Sequence, residues 1–62
     1  MIAYLVGGPL DSDVIDAVAD DKTEFVFTSP LARYVADPND AWEPYHGRRV
    51  MTFRYQADRD RF

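Results

Sequence analysis

The chain has no cysteine and only one histidine. It can therefore form no disulfide, and it cannot supply the four ligands of a usual structural zinc site. No positively charged segment opens the chain, and the apolar run from Met1 to Val6 stops at Gly7-Gly8. That run is too short for a signal-peptide core or a membrane span, so no membrane role is expected. The phosphate-cradling glycine patterns are missing as well. Gly7-Gly8 has no Gly-x-Gly-x-x-Gly spacing and no Gly-Lys-Ser/Thr, and Pro9 removes a backbone donor where a phosphate would need one.

What is present describes one small folded domain. Sixty-two residues, 47% of them apolar, include four Phe, four Tyr and one Trp. That length allows a single domain, residues 1–62, with one core. A chain of this size buries only about 60% of the surface its unfolded form exposes. With no disulfide or zinc to help, a second copy or a bound partner is the most available support.

Charge is divided unequally. Residues 1–44 hold nine acids against Lys22 and Arg33, and residues 45–62 hold Arg48, Arg49, Arg54, Arg59 and Arg61 against Asp58 and Asp60. The asymmetry either marks a dipolar binding surface or is neutralised within the fold. The net charge of −4 argues against general nucleic-acid affinity.

The local pattern predicts an α+β chain, mainly β: a small antiparallel sheet of about four strands with one short helix. Ile2 to Val6 reads as a central strand covered on both faces, and Gly7 to Ser12 as a tight reversal. Asp13 to Val18 fits either a capped helical stripe or a returning strand, and we take the strand. Glu24 to Thr28 alternates, with Phe25 and Phe27 on one face. Ser29-Pro30 resembles an N-cap followed by proline at the first helical position, which predicts a short helix through Leu31, Tyr34 and Val35 that Asp37-Pro38 stops. Pro38 to Gly47 reads as an irregular loop. The longest strand is expected from Arg48, with Arg49, Met51, Phe53 and Tyr55 on one side and Arg48, Val50, Thr52, Arg54 and Gln56 on the other. The tail 57–62 is expected to fray.

Few residues invite a chemical reading. Asp11, Asp13 and Asp16, or Asp37, Asn39, Asp40 and Glu43, could be imagined around a cation, but neither group has the glycine and bidentate glutamate of an EF-hand loop. Turn chemistry explains the second group better. His46 has no recognisable catalytic neighbour in sequence and reads as a surface or capping residue. No catalytic residue, metal site or cofactor is expected. The candidate partner-binding residues are Trp42, Tyr45, Arg48, Arg49 and Arg54, because aromatics with arginines are enriched at interface hot spots. The same group could stack on single-stranded bases, or could close the end of a small core while its arginines pair with the acidic half.

Tyr4-Leu5-Val6-Gly7-Gly8-Pro9-Leu10-Asp11, followed by Val14-Ile15, resembles the opening of a group of small uncharacterised actinobacterial phage and prophage proteins. Their N-termini commonly read Gly-Gly-Pro-Leu-Asp-Gly and then a valine-rich stretch. The likeness covers about fifteen residues, and it favours a strand over Asp13 to Val18. Ser12 stands where that group has glycine; in a left-handed turn position serine would cost about 1 kcal/mol. The resemblance implies a phage-encoded accessory protein in the host cytoplasm or the virion, and it carries no catalytic residue. The expected function is non-enzymatic protein binding, to itself or to a host protein. The alternative is a small capsid or tail accessory subunit, and nucleic-acid binding or mimicry comes third.

Overall fold

A computed structural model describes residues 1–45 and 47–57; for Pro44 and Tyr45 it describes the backbone alone. His46 and residues 58–62, which include most of the tail expected to fray, lie outside the described residues. The fold is mainly β. Five strands, β1 (Ile2–Val6), β2 (Val14–Ile15), β3 (Glu24–Thr28), β4 (Leu31–Tyr45) and β5 (Arg48–Tyr55), form one sheet in the order β2-β1-β5-β4-β3. All neighbours are antiparallel except β1 and β5, which run parallel with Ile2 opposite Val50 and Val6 opposite Arg54. The expected four antiparallel strands thus become a five-stranded mixed sheet. Its only helical element among the described residues is one turn of 3-10 helix, Gly8–Leu10.

The expected helix after Ser29-Pro30 is corrected to strand. Ser29-Pro30, joined by a cis peptide bond, is the turn of the β3–β4 hairpin. Past it the chain has period two: Ala32 and Tyr34 are buried, and Leu31 and Arg33 are exposed. A serine before a proline suits a tight turn as well as a helix start, and tertiary packing selected the turn. The expected loop from Pro38 to Gly47 is corrected too, because β4 continues to Tyr45. Between Asp37, opposite Thr52, and Ala41, opposite Met51, the chain bulges outward. At 15 residues β4, not the eight-residue β5, is the longest strand.

Strand β1 is interior, as expected, but β5 is the central strand, and β1 is covered closely on one face only. Ala3 and Leu5 are buried, whereas Ile2, Tyr4 and Val6 are half-buried on the other side. Asp13 to Val18 is a strand in part. β2 pairs Val14 with Tyr4 and Ile15 with Ala3, and Val18 N–H then donates to Met1 C=O at 2.8 Å. This offset of one residue makes a bulge in which Ala17 has φ 58°.

The core lies on the face of Ala3, Leu5, Tyr34, Met51 and Phe53, with Phe25, Phe27, Ile15 and Tyr55 packed around it. Among the described residues no helix covers this face; the sheet covers itself by curling. A flat sheet would put β2 and β3 about 19 Å apart, and the six steps from Val18 to Glu24 reach at most about 21 Å when fully extended. A turn closed by Lys22 N–H on Ala19 C=O shortens that link further. The two edges must therefore draw together, and they bring the Phe25 ring to 4.8 Å from that of Phe53, two strands away. Val18 closes one end of the curl and Leu10 the other.

Tyr34 ties the Leu10 end down. Its hydroxyl donates to Gly7 C=O at 2.6 Å and accepts the Leu10 N–H at 2.9 Å. Gly8 packs so closely beneath Tyr55 that a Cβ there would come within 2.5 Å of the ring, and its φ is 64°. Asp11 accepts the Gly7 N–H at 2.6 Å, and Ser12 holds a left-handed position at φ 72°. Each residue of the Gly-Gly-Pro-Leu-Asp-Ser run from Gly7 to Ser12 thus has a defined structural place, Pro9 within the 3-10 turn.

Candidate functional site

The sheet's second face, opposite the core, carries the candidate site. Cross-strand register places Ile2, Val50 and Trp42 in one row, and Val14, Tyr4, Thr52 and Asp37 in the next. Strand alternation explains the row: in β1 Ile2, Tyr4 and Val6 face away from the core, and in β5 so do Val50, Thr52 and Arg54. The Tyr4 and Trp42 rings meet edge to face at 6.5 Å and 75°, a favoured aromatic geometry. Val50 and Thr52 are buried beneath this layer, while Trp42 keeps 40% of its surface exposed and Val14 61%.

Charged pairs border the patch on two sides. Arg48 reaches across the face to Asp16 on one side. On the other, the Arg54 guanidinium spans two carboxylates, Nε donating to Asp37 Oδ2 at 2.8 Å and Nη2 to Asp40 Oδ2 at 2.7 Å. Asp37 also accepts the Asn39 N–H at 3.1 Å, so Arg54 and an Asx turn together hold the Pro38-Asn39-Asp40 bulge against β5. The Arg54 hydrogen bond keeps the Asp37 carboxyl below its ordinary value, and Arg48 does the same for Asp16. Asp37 in turn raises Arg54.

The candidate residues divide accordingly. Trp42, Arg48 and Arg54 share one face. Arg49 does not join them: it lies on the core side of the sheet, where its Nη2 meets Asp20 C=O at 3.3 Å and Met1 Sδ at 3.8 Å. Tyr45 is paired with Arg48 through the backbone, and its side chain lies outside what is described. The described side chains among these residues therefore form no open cationic cluster. Arg48 and Arg54 are each tied to the acidic half of the chain, and within that half Arg33 pairs with Glu24 at 2.9 Å and the N-terminal amine with Asp20 at 3.1 Å. The charge asymmetry is neutralised within the fold at these positions.

Sequence reading missed Tyr4, Ile2 and Val14 as members of this face. A signal was present: Tyr4 alternates with the small Ala3, so an aromatic side chain stands opposite a position that only a tightly packed sheet centre needs to keep small. Read as a strand buried on both sides, β1 gave no reason to ask what faced outward. Among the described residues, no three of His, Asp and Glu converge in metal-binding geometry, and no helix is long and apolar enough to cross a membrane. Compared with protein-family models, with curated proteins and with solved structures, the chain matches none.

Proposed function

We propose that this chain is a non-enzymatic protein-binding module whose docking surface is the Tyr4–Trp42 face of its sheet. The observation that carries the reading is a partly exposed apolar patch, open at Trp42 and Val14, with an aromatic pair at its centre, flanked by Arg48–Asp16 and Arg54–Asp37–Asp40. An apolar centre with a polar border is the anatomy of protein interfaces, and tryptophan, tyrosine and arginine are their commonest hot spots. The border is held by ion pairs within the subunit, so the arginines enter an encounter already ordered and lose less rotamer freedom on binding. The matching partner is a protein surface offering an aliphatic or aromatic anchor for the Trp42 edge, with polar groups around it. Paired border charges also count against nucleic acid, whose phosphates need unneutralised cations. The N-terminal resemblance supports the setting: a phage-encoded accessory protein acting on a host protein, with a small virion subunit as the alternative.

Trp42 is the only tryptophan in the chain, so it reports its own surface. A partner captured by the wild-type protein should be lost by Trp42→Ala, with a cost of at least about 2 kcal/mol in binding. The purified partner should also shift the Trp42 emission to shorter wavelength as the indole is desolvated. Equal capture by both proteins, or an emission spectrum that the bound partner leaves unmoved, would place the interface elsewhere.

A further inference from the structure

The outer edge of β3 supports a second, independent inference. Ala36 N–H donates to Thr23 C=O at 2.9 Å. Backbone groups alternate sides along a strand, so Thr23, Phe25 and Phe27 turn theirs toward β4, while Glu24, Val26 and Thr28 turn theirs away from the sheet. Among the described residues no strand pairs with that side. The edge also lacks the usual protections. It is a regular five-residue strand, Glu-Phe-Val-Phe-Thr, with no proline and no bulge. Its one charged side chain, Glu24, is held by Arg33 of the neighbouring strand.

We propose that β3 pairs with β3 of a second copy of this chain, antiparallel about a two-fold axis through Val26. In that register all three outward-turned residues of the edge are paired. Val26 faces Val26 of the other copy, and Glu24 faces Thr28, so every outward N–H and C=O finds a partner in about six backbone hydrogen bonds. No like charges stand opposite each other. On the second face the two Val26 side chains, each 61% exposed in the single chain, cover one another. On the core face Phe25 stands opposite Phe27 of the other copy in a close, non-hydrogen-bonded pair, continuing the Phe25–Phe27 stack, whose rings lie 5.8 Å apart. Because the contact is isologous it closes at two chains, giving one ten-stranded sheet. The dimer uses the β3 edge and not the Tyr4–Trp42 patch, so either reading can fail without the other.

Sedimentation equilibrium over a wide concentration range tests it. The wild-type chain should approach twice its 7.1 kDa mass, and Val26→Lys, which sets two ammonium groups against each other on the axis, should stay at the single-chain mass with an unchanged far-ultraviolet spectrum. Trp42→Ala should dimerise normally. Should Val26→Lys fail to fold, hydrogen exchange on the wild-type protein decides: the Val26 amide, solvent-facing in the single chain, should slow at least tenfold between dilute and concentrated samples. The proposal is overturned by a wild-type chain that stays monomeric at every concentration, by a folded Val26→Lys dimer, by a Val26 amide indifferent to concentration, or by growth past two chains.

Discussion

The two edges of this sheet are guarded very differently. The β2 edge is two residues long, lies between Asp13 and Asp16, and breaks at the Ala17 bulge before Val18 resumes pairing. Shortness, like charge and a bulge are each recognised defences against unwanted strand addition. The β3 edge has none of them; it presents five regular residues rich in aromatic and β-branched side chains. A lone sheet with one guarded and one open edge teaches that association here, where it occurs, has a direction. The guarded edge also belongs to the half of the molecule held by the Gly7–Ser12 turn and the Arg48–Asp16 pair, whereas the open edge belongs to the half held by Phe25, Phe27 and Phe53 packing and the Arg33–Glu24 pair.

The largest effect should come from removing what both halves share. Phe53 is fully buried on the central strand and touches the Phe25 ring. Phe53→Ala should cost about 3 to 5 kcal/mol, comparable to the whole stability expected of so small a domain. Urea denaturation followed by circular dichroism measures it, and a normal midpoint would show that the core is not where these strands place it.

Tyr34→Phe separates the halves more selectively. It leaves the ring in place but removes the hydroxyl that joins β4 to the turn leading into β2, stranding the Gly7 carbonyl and the Leu10 N–H. The expected cost is about 1 to 3 kcal/mol, with amide exchange quickening over residues 7–15 well before 24–28. Uniform quickening across both edges would mean that the hydroxyl does not distinguish them.

Ser12→Gly should sharpen the contrast in the other direction. Ser12 has φ 72°; glycine removes the steric cost of that conformation but gains freedom in the unfolded chain. A net gain of about half to one kcal/mol is expected on the β2 side, read as a rise in melting temperature. A loss would show that the Ser12 hydroxyl bond to Asp11, at 3.3 Å, outweighs the backbone term.

The smallest effect is electrostatic. A carboxyl whose folded pKa lies below its unfolded value stabilises the fold at any pH above the unfolded value, and that stabilisation is lost as the pH falls through the folded value. Asp37, hydrogen-bonded by Arg54, Asp16, by Arg48, and Asp20, by the N-terminal amine, all lie below the ordinary 3.8. Melting temperature should therefore be nearly flat from neutrality to about pH 4 and fall below it. All three groups are solvent-exposed, so the slope should be shallow and should weaken further in high salt. Asp37→Asn should flatten it again.

How much of this was legible in the chain varies by strand. β1, β3 and β5 could be read directly, because Ile2 to Val6, Glu24 to Thr28 and Arg48 to Tyr55 combine β-branched or aromatic residues with strand periodicity or continuous apolarity. β4 could not. Ser29-Pro30 is a helix start and a hairpin turn with equal local merit, and Asp37-Pro38-Asn39-Asp40 has the composition of a loop. What keeps that segment beside β5 is Arg54, 14 residues beyond Asp40. The candidate site divides in the same way. Trp42 stood out by type, but Tyr4 joined it only through a parallel pairing of residues some fifty positions apart in sequence.

By itself the sequence determined that the chain would be mostly extended, that Gly7 to Ser12 would reverse it, and that Met51, Phe53 and Tyr55 would share one face, since each depends on side-chain type and on spacings of one or two residues. Only the tertiary structure decided the strand order, the curl that replaces a covering helix, the partners that neutralise the arginines, and which edge stays open. Those depend on how far a six-step link can reach and on which distant strands it brings side by side.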